Sequence, residues 1–409
     1  MNRPMCAAAM FVLAVGVPSM GRAAETPVTF ARDVAPIFYK NCVECHRPTM
    51  FAPMSLVKYE DARPWAKSIK QRVVARVMPP WGADPAHGTF KNDPSLSDKD
   101  IATISAWVDA GAPKGDDKDL PAAPTFVDGW TIGKPDAVFT MTEDFKIPAA
   151  GTIDYQYIRV PTSLTEDKWI SAIEIAPGSR AHVHHVIAYT QPASETKTSE
   201  APLGGTNIGG TTPNKPGVVF GDGVARLLRK GHDIVLQMHY TTNGTEATDR
   251  TRVAVIYAKE PPKKLAAGGM AINPRFVIPA GEAAAEVKAT VTLQRDTMLT
   301  TLTPHMHVRG KDMTYIAHYA DGKDEILLSV PKYDFNWQLT YELAQPKRLA
   351  KGTKIEVIAH FDNSTGNKFN PDPTKDVRWG DQTWEEMMIG FYGSVVDPSV
   401  AATYSPEQK

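Results

Sequence analysis

Hydrophobic periodicity changes once along this chain, near Trp130, and the change divides it into a helical head and a β-rich body. Before Trp130 the apolar residues recur at helical spacing. Phe30, Val34, Ile37 and Phe38 fall at i, i+4, i+7 and i+8 and form one amphipathic helix. Trp65, Ile69, Val73 and Val77 recur every four residues and predict a second helix that ends at Met78-Pro79-Pro80-Trp81. A third opens with Ser97-Asp98-Lys99-Asp100, carries Ile101, Ile104 and Val108 inward beside Trp107, and closes at Ala110-Gly111-Ala112-Pro113. Gly115 to Thr125 is the linker that ends the head. After Trp130 come short alternating runs, the pattern of sandwiches and jelly rolls: Trp169 to Ile175 stops at Pro177-Gly178, and Asp233 to Tyr240 stops at Asn243-Gly244. Asp321-Gly322 joins Tyr315–Tyr319 to Glu325–Val330 as a hairpin, and Lys354 to Phe361 is a further strand. Leu203 to Gly217, rich in Gly, Thr, Asn and Pro, is expected to be an exposed loop. A break at Lys259-Glu260-Pro261-Pro262 predicts two sandwiches, 127–260 and 261–409, behind a head spanning 25–126.

The N-terminus reads as an export signal. Arg3 supplies a positive start, Met5 to Val17 is an apolar run too short to span a bilayer, and Gly21-Arg22-Ala23-Ala24 offers small residues for cleavage. Residues 1–24 are therefore expected to leave, Cys6 with them, and the mature protein to be periplasmic or secreted without a membrane span. A net charge of −1 gives no footprint for nucleic acid or an anionic membrane. Two cysteines remain, Cys42 and Cys45, so no disulfide framework is available.

Those two cysteines stand in Cys42-Val43-Glu44-Cys45-His46, the attachment signature of c-type haem: two thiols for the vinyl groups, and an imidazole for the iron. A redox pair or half of a zinc site lacks a second Cys-x-x-Cys, a surrounding βαβ pattern and any use for His46. Met78, held just before two prolines, is the expected sixth ligand, with Met50 and Met54 as rivals. Three helices around this motif and a distal Met resemble a small all-α class I cytochrome c.

The body carries a second metal chemistry. The chain has eleven histidines, and three fall within four positions, His182, His184 and His185. His239 lies in Leu236-Gln237-Met238-His239-Tyr240, His305 and His307 flank Met306, and Met387 lies in Trp384-Glu385-Glu386-Met387-Met388. Residues two apart on a strand share a face, so His305 and His307 can grip one ion, and strand geometry alone would likewise pair His182 with His184. A lone histidine such as His239 is more often a satisfied core or surface residue. Imidazole with thioether, and no spare cysteine, points to copper.

The order His-His, then Gln-x-His-Tyr, then His-x-His, then Glu-Met resembles the copper type II, ascorbate-dependent monooxygenases, the family of peptidylglycine α-hydroxylating and dopamine β-monooxygenases. The resemblance covers roughly Asp128 to Val396. It implies two jelly-roll domains with one copper in each, facing across an open cleft. Carried over, His184, His185 and His239 hold the electron-transferring copper, and His305, His307 and Met387 the one that takes O2. The adjacent pair His184/His185 requires a twist or bulge there and leaves His182 as a supporting or surface residue. The implied reaction hydroxylates a C–H bond of a small organic substrate, using O2 and two electrons from an external donor. The haem, a one-electron carrier, is expected to relay them in place of ascorbate.

The chain also departs from that family. Thr303 stands where peptide-amidating members hold the substrate carboxylate with Arg, Ile389 and Phe391 replace their Asn and Tyr, and their disulfides are absent. An apolar substrate fits better than a peptide carboxylate. Arg309 and Trp384 lie near the ligands as candidate substrate contacts, although an exposed Arg is usually only solvated. The competing reading is a haem/copper electron-transfer protein or copper carrier without oxygenase activity; a redox sensor or scaffold that keeps the ligands is a third.

Overall fold

The structure, a computed structural model, describes residues 27–48, 50, 52–126, 129–195, 206–211 and 217–399. The export signal lies outside the described residues. Among the described residues the α-helices all lie in the head: a wide helical turn Phe30–Val34 runs into α1 (Ala35–Asn41), followed by α2 (Tyr59–Ala62), α3 (Ala66–Val74) and α4 (Asp98–Asp109). Ser97 caps α4 through its side chain, which accepts from the Asp100 amide. Trp107 is fully buried among Phe30, Phe38 and Ile104, and its indole N–H donates to Pro113 O at 3.0 Å.

The second helix is shorter than the periodicity predicts. It ends at Val74 because Arg76 adopts a positive φ of 53°, which breaks helical hydrogen bonding before Met78. Only Ile69 and Val73 of the four-residue stripe reach the core, whereas Trp65 and Val77 are exposed. Nor is the head self-contained. Trp81, Ala83 and Phe90 leave the helical core and pack on the last core of the chain.

The body is built of strands: β1 (Ala137–Thr140), β2 (Phe145–Ile147), β3 (Gln156–Val160), β4 (Lys168–Ala176), β5 (Val183–Pro192), β6 (Thr206–Thr211), β7 (Gly217–Val219), β8 (Val224–Leu228), β9 (His232–Tyr240), β10 (Ala247–Asp249) and β11 (Arg252–Tyr257). After Pro261-Pro262 come β12 (Lys264–Ile272), β13 (Val277–Ile278), β14 (Ala285–Thr292), β15 (Thr297–His305), β16 (Gly310–His318), β17 (Asp324–Val330), β18 (Tyr341–Leu349), β19 (Lys354–Phe361), β20 (Val377–Arg378) and β21 (Ile389–Val396). The stretch expected to be a loop from Leu203 contains a strand, β6, which pairs with β5 along Val186–Thr190. Its alternation is masked by Gly209 and Gly210, whose missing side chains admit Ile173 and the Val186 carbonyl.

Two sandwiches result, each with its own core. The sheet β3-β9-β5-β6 packs over β1-β11-β4-β8, burying Val160, Ile170, Ile173, Leu236 and Met238. The sheet β14-β19-β16-β17 packs over β12-β21-β15-β18, burying Leu299, Leu302, Tyr315, Val357 and Met388. They are not independent. β8 and β12 pair in parallel, Val224 opposite Lys264 and Ala225 opposite Leu265, so one nine-stranded sheet runs through both. Among the described residues no helix is long and apolar enough to cross a membrane.

Candidate metal centres

The first histidine set is made by two neighbouring strands and a local fault in their register. β5 and β9 run antiparallel with His185 opposite His239, and the register shifts between Val183 and His185. His184 is the extra residue of that bulge, so adjacent side chains that would normally point to opposite faces converge. One ring nitrogen from each of His184, His185 and His239 lies within 4.8 Å of the others. His184 Nε2–H donates to the Asn336 carbonyl at 3.2 Å, which leaves its Nδ1 as a lone pair, 3.1 Å from His185 Nδ1. His185 Nε2 and His239 Nδ1 are buried without a hydrogen-bond partner.

His182 lies apart from this set. Its Nδ1 meets Ser179 Oγ at 2.8 Å and its Nε2 meets Asn243 Oδ1 at 2.8 Å, so both ring nitrogens are occupied in holding the β5 and β9 ends together. Its spacing from His184 suits a strand, but the bulge comes between them.

The second set sits at the end of β15. Strand alternation turns Leu302, Pro304 and Met306 toward the core and leaves Thr303, His305 and His307 on the other side. His305 Nδ1–H donates to Gln338 Oε1 at 2.7 Å, and His307 Nδ1–H donates to the Glu385 carbonyl at 3.2 Å. Each carbonyl fixes the tautomer and frees Nε2. His307 Nε2 is buried without a partner. Met388 packs in the second core, whereas Met387 turns the other way, toward the cavity that His305 lines.

Glu386, between these methionines and the histidines, is fully buried. It accepts from the His307 amide at 2.8 Å and the Arg309 amide at 2.6 Å, clamping the His-x-His turn against the segment that carries Met387. Burial pushes its carboxyl up to about 8, against those donors and the Arg309 charge, which favour the ionised form. Arg309 is not a solvated surface residue. It is 2% exposed and donates to Asn363 Oδ1 and the Trp384 carbonyl, both at 2.9 Å.

The two sets adjoin. The His185 and His305 rings lie 6.4 Å apart, and Tyr155 touches rings of both sets, 4.9 Å from His239 and 6.3 Å from His307. Phe335 stacks on His184 at 5.3 Å and reaches His307 at 6.1 Å. On the side of Tyr155 and Phe335 the cleft between the two sets is closed. Three contacts close it: Tyr155 N–H donates to Gln382 Oε1, Tyr157 Oη–H to Asp381 Oδ2, and the 333–338 turn lies over His184. Sequence reasoning missed Tyr155, Phe335 and Gln338 and took Glu386 only as part of the Glu-Met motif; the aromatic cluster Tyr333-Asp334-Phe335-Asn336-Trp337 was the local signal for Phe335.

Burial also sets the charge state. It holds His305 down to about 4, His307 to about 3 and His239 to about 2, and lowers His184 and His185 as well. All five imidazoles are neutral at pH 7, the form that binds a metal ion. One side of the pair of sets opens on a cavity of about 1600 Å³, bounded by His185, Thr303, His305, Met387, Ile389 and Phe391 among others.

In the head, His46 N–H bonds back to the Cys42 carbonyl at 2.9 Å, so the motif closes one turn with both thiols free. His46 Nδ1–H donates to the Met54 carbonyl at 3.2 Å, leaving Nε2 as the free lone pair. Burial pushes the Cys42 thiol up to about 12 and the Cys45 thiol to about 11, away from the low values of reactive thiolate pairs. Met54 packs against the head core; Met78 is half-buried outside it.

No protein-family profile matches the chain. No curated protein sequence matches it either. Among solved structures, allantoicase from Saccharomyces cerevisiae is similar over 61% of this chain and 80% of its own, at 10% identity and a TM-score of 0.19. The major capsid protein P2 of bacteriophage PM2 is similar over 64% and 97%, at 6% identity and a TM-score of 0.24. The infectious bursal disease virus Gx strain structure is similar over 68% and 75%, at 9% identity and a TM-score of 0.20. Likenesses this slight carry no argument about what the chain does.

Proposed function

We propose that the chain is an exported haem- and copper-containing monooxygenase that hydroxylates a C–H bond of a small apolar molecule with O2. In this reading the head is a class I cytochrome c, and the sandwiches are the two jelly rolls of a copper type II monooxygenase. The observation that carries the proposal is the pair of adjoining imidazole sets. Their buried ring nitrogens include His185 Nε2, His239 Nδ1 and His307 Nε2, none with a hydrogen-bond partner. Stranding buried polar atoms costs about 1–3 kcal/mol each, and ligation to a metal removes that cost. The donor chemistry fits copper: His184, His185 and His239 would hold one ion, and His305, His307 and Met387 the other.

Bound copper would supply one-electron redox chemistry and activate O2, one oxygen atom ending in product and the other in water. The chain's own residues do the rest. Thr303, Ile389 and Phe391 receive an apolar substrate beside His305 and Met387. Tyr155 and Phe335 keep water from between the sets. Gln338 and the Glu385 carbonyl hold His305 and His307 in the tautomers that present Nε2. The head fits haem by the same reasoning, with His46 Nε2 freed by Met54 O, two free thiols one turn apart, and Met78 as the expected sixth ligand.

A pure electron carrier or copper carrier prefers closed coordination. The cavity beside His305 and Met387 favours an oxygenase instead. Carbon monoxide tests this: reduced, copper-loaded protein should bind it at one of two coppers. Copper that stays inert to carbon monoxide would support the carrier, and zinc at both sets would sink both readings.

A further inference from the structure

The stretch between α3 and α4 belongs to the head in sequence and to the second sandwich in space. The Trp81 ring lies 4.7 Å from Tyr341 and 5.9 Å from Phe90, and Phe90 lies 5.5 Å from Tyr341. Backbone bonds fasten the stretch along β18 and β17: Lys91 N–H to Glu342 O at 2.9 Å, Ala344 N–H to Thr89 O at 2.8 Å, and Asp84 N–H to Ser329 O at 2.8 Å. Asn92 Nδ2–H adds a bond to the Thr340 carbonyl at 2.7 Å. Gly82 admits the close approach, since a Cβ there would meet Val330 at 2.9 Å and the Tyr341 hydroxyl at 3.1 Å.

From Tyr341 the path to a histidine is short. Tyr341 is paired with Leu302 of β15, Thr303 Oγ1–H donates to Thr340 Oγ1 at 3.0 Å, and Gln338, three residues before Tyr341, accepts from His305. At the other end, Met78 stands three residues before Trp81. The other set is one step farther from Tyr341: His184 meets the Asn336 carbonyl at 3.2 Å, two residues before Gln338, and the His185 ring lies 6.4 Å from the His305 ring.

We propose that Trp81 and Tyr341 are the gateway by which electrons from the haem-binding head reach the His305/His307/Met387 set ahead of the His184/His185/His239 set. The inference rests on the haem-and-copper reading above. Each passage takes one electron from ferrous haem to a cupric ion, leaving ferric haem and a cuprous ion, with no bond made or broken. Electron tunnelling weakens steeply with distance, so a contacting aromatic pair on a hydrogen-bonded strand carries it better than a gap does.

The test uses the holoprotein under argon. Pulse radiolysis places one electron on the haem of the oxidised, copper-loaded protein, and the reduced-haem absorbance is followed as it decays. Wild type and His239→Ala should show the same concentration-independent decay, and His305→Ala should slow it, with copper counted in each. Trp81→Leu should slow the decay at unchanged haem and copper content, and Trp81→Phe should restore it. Decay unslowed in His305→Ala but slowed in His239→Ala would overturn the route while leaving the two-metal reading intact, as would a Trp81→Leu rate equal to wild type. A protein that takes up no haem or no copper would overturn the reading, and the route with it.

Discussion

The rings of His185 and His305 stand 6.4 Å apart although they belong to different sandwiches. One comes from the bulged strand of the first, the other from the last residue of β15 in the second. Ions held by the two sets would therefore be close neighbours. The cupric form of the fully loaded protein should give an electron paramagnetic resonance signal broadened or weakened by mutual coupling, and His239→Ala should give a sharp single-ion signal. A loaded wild-type spectrum equal to the sum of two isolated ions would mean that the sets stand apart in solution.

Acid should unfold the metal-free protein. His239, His305 and His307 are depressed to about 2, 4 and 3 by burial, from an ordinary value near 6.5. In that window the unfolded chain binds more protons than the folded one, so their stability contribution is full above about pH 6.5 and is lost as pH falls. At about pH 5 each costs on the order of 2 kcal/mol. Thermal melts of the metal-free protein should fall from about pH 6.5 to about pH 5, the three imidazoles together outweighing Glu386, whose raised value acts in the opposite sense. A flat melting temperature across that range would show that these rings are not buried.

Glu386→Ala should be among the most damaging single changes in the second sandwich. It strands the His307 and Arg309 amides, at roughly 1–3 kcal/mol each. It also frees the turn that holds both histidines, so copper binding at that set should weaken. Glu386→Gln keeps one acceptor oxygen and should be milder in denaturant unfolding. Equal stability of Glu386→Ala and wild type would contradict the clamp.

Tyr155 separates packing from hydrogen bonding. Its hydroxyl is buried without a partner, and burial pushes it well above the ordinary tyrosine value. Tyr155→Phe should therefore leave stability unchanged or slightly raised, whereas Tyr155→Ala opens a hole between the sets at about 3–5 kcal/mol. A large loss in Tyr155→Phe would reveal a partner for the hydroxyl.

The residues legible in sequence were those whose signal is local. The change of periodicity near Trp130 separates helix from strand, and the Asp321-Gly322 hairpin forms with Gly322 at a φ of +82°. The adjacent pair His184/His185 demands a bulge, and the β5 register carries one. What was not legible depends on pairs far apart in the chain. Tyr155 meets Gln382 across 227 positions, His184 meets Asn336 across 152, and Asn92 meets Thr340 across 248. None of these leaves a periodic mark. For the same reason Trp81 and Phe90 read as part of a self-contained head, when their apolar rings complete the second core.

The most direct test of the central claim is product labelling. Reduced protein loaded with haem and copper is exposed to isotopically labelled O2 with a mixture of small apolar molecules, beside a His305→Ala control that keeps its haem. The account predicts one labelled oxygen atom in a hydroxylated product from wild type and none from the control. Oxygen uptake with no labelled product, or the same product from both proteins, would contradict it.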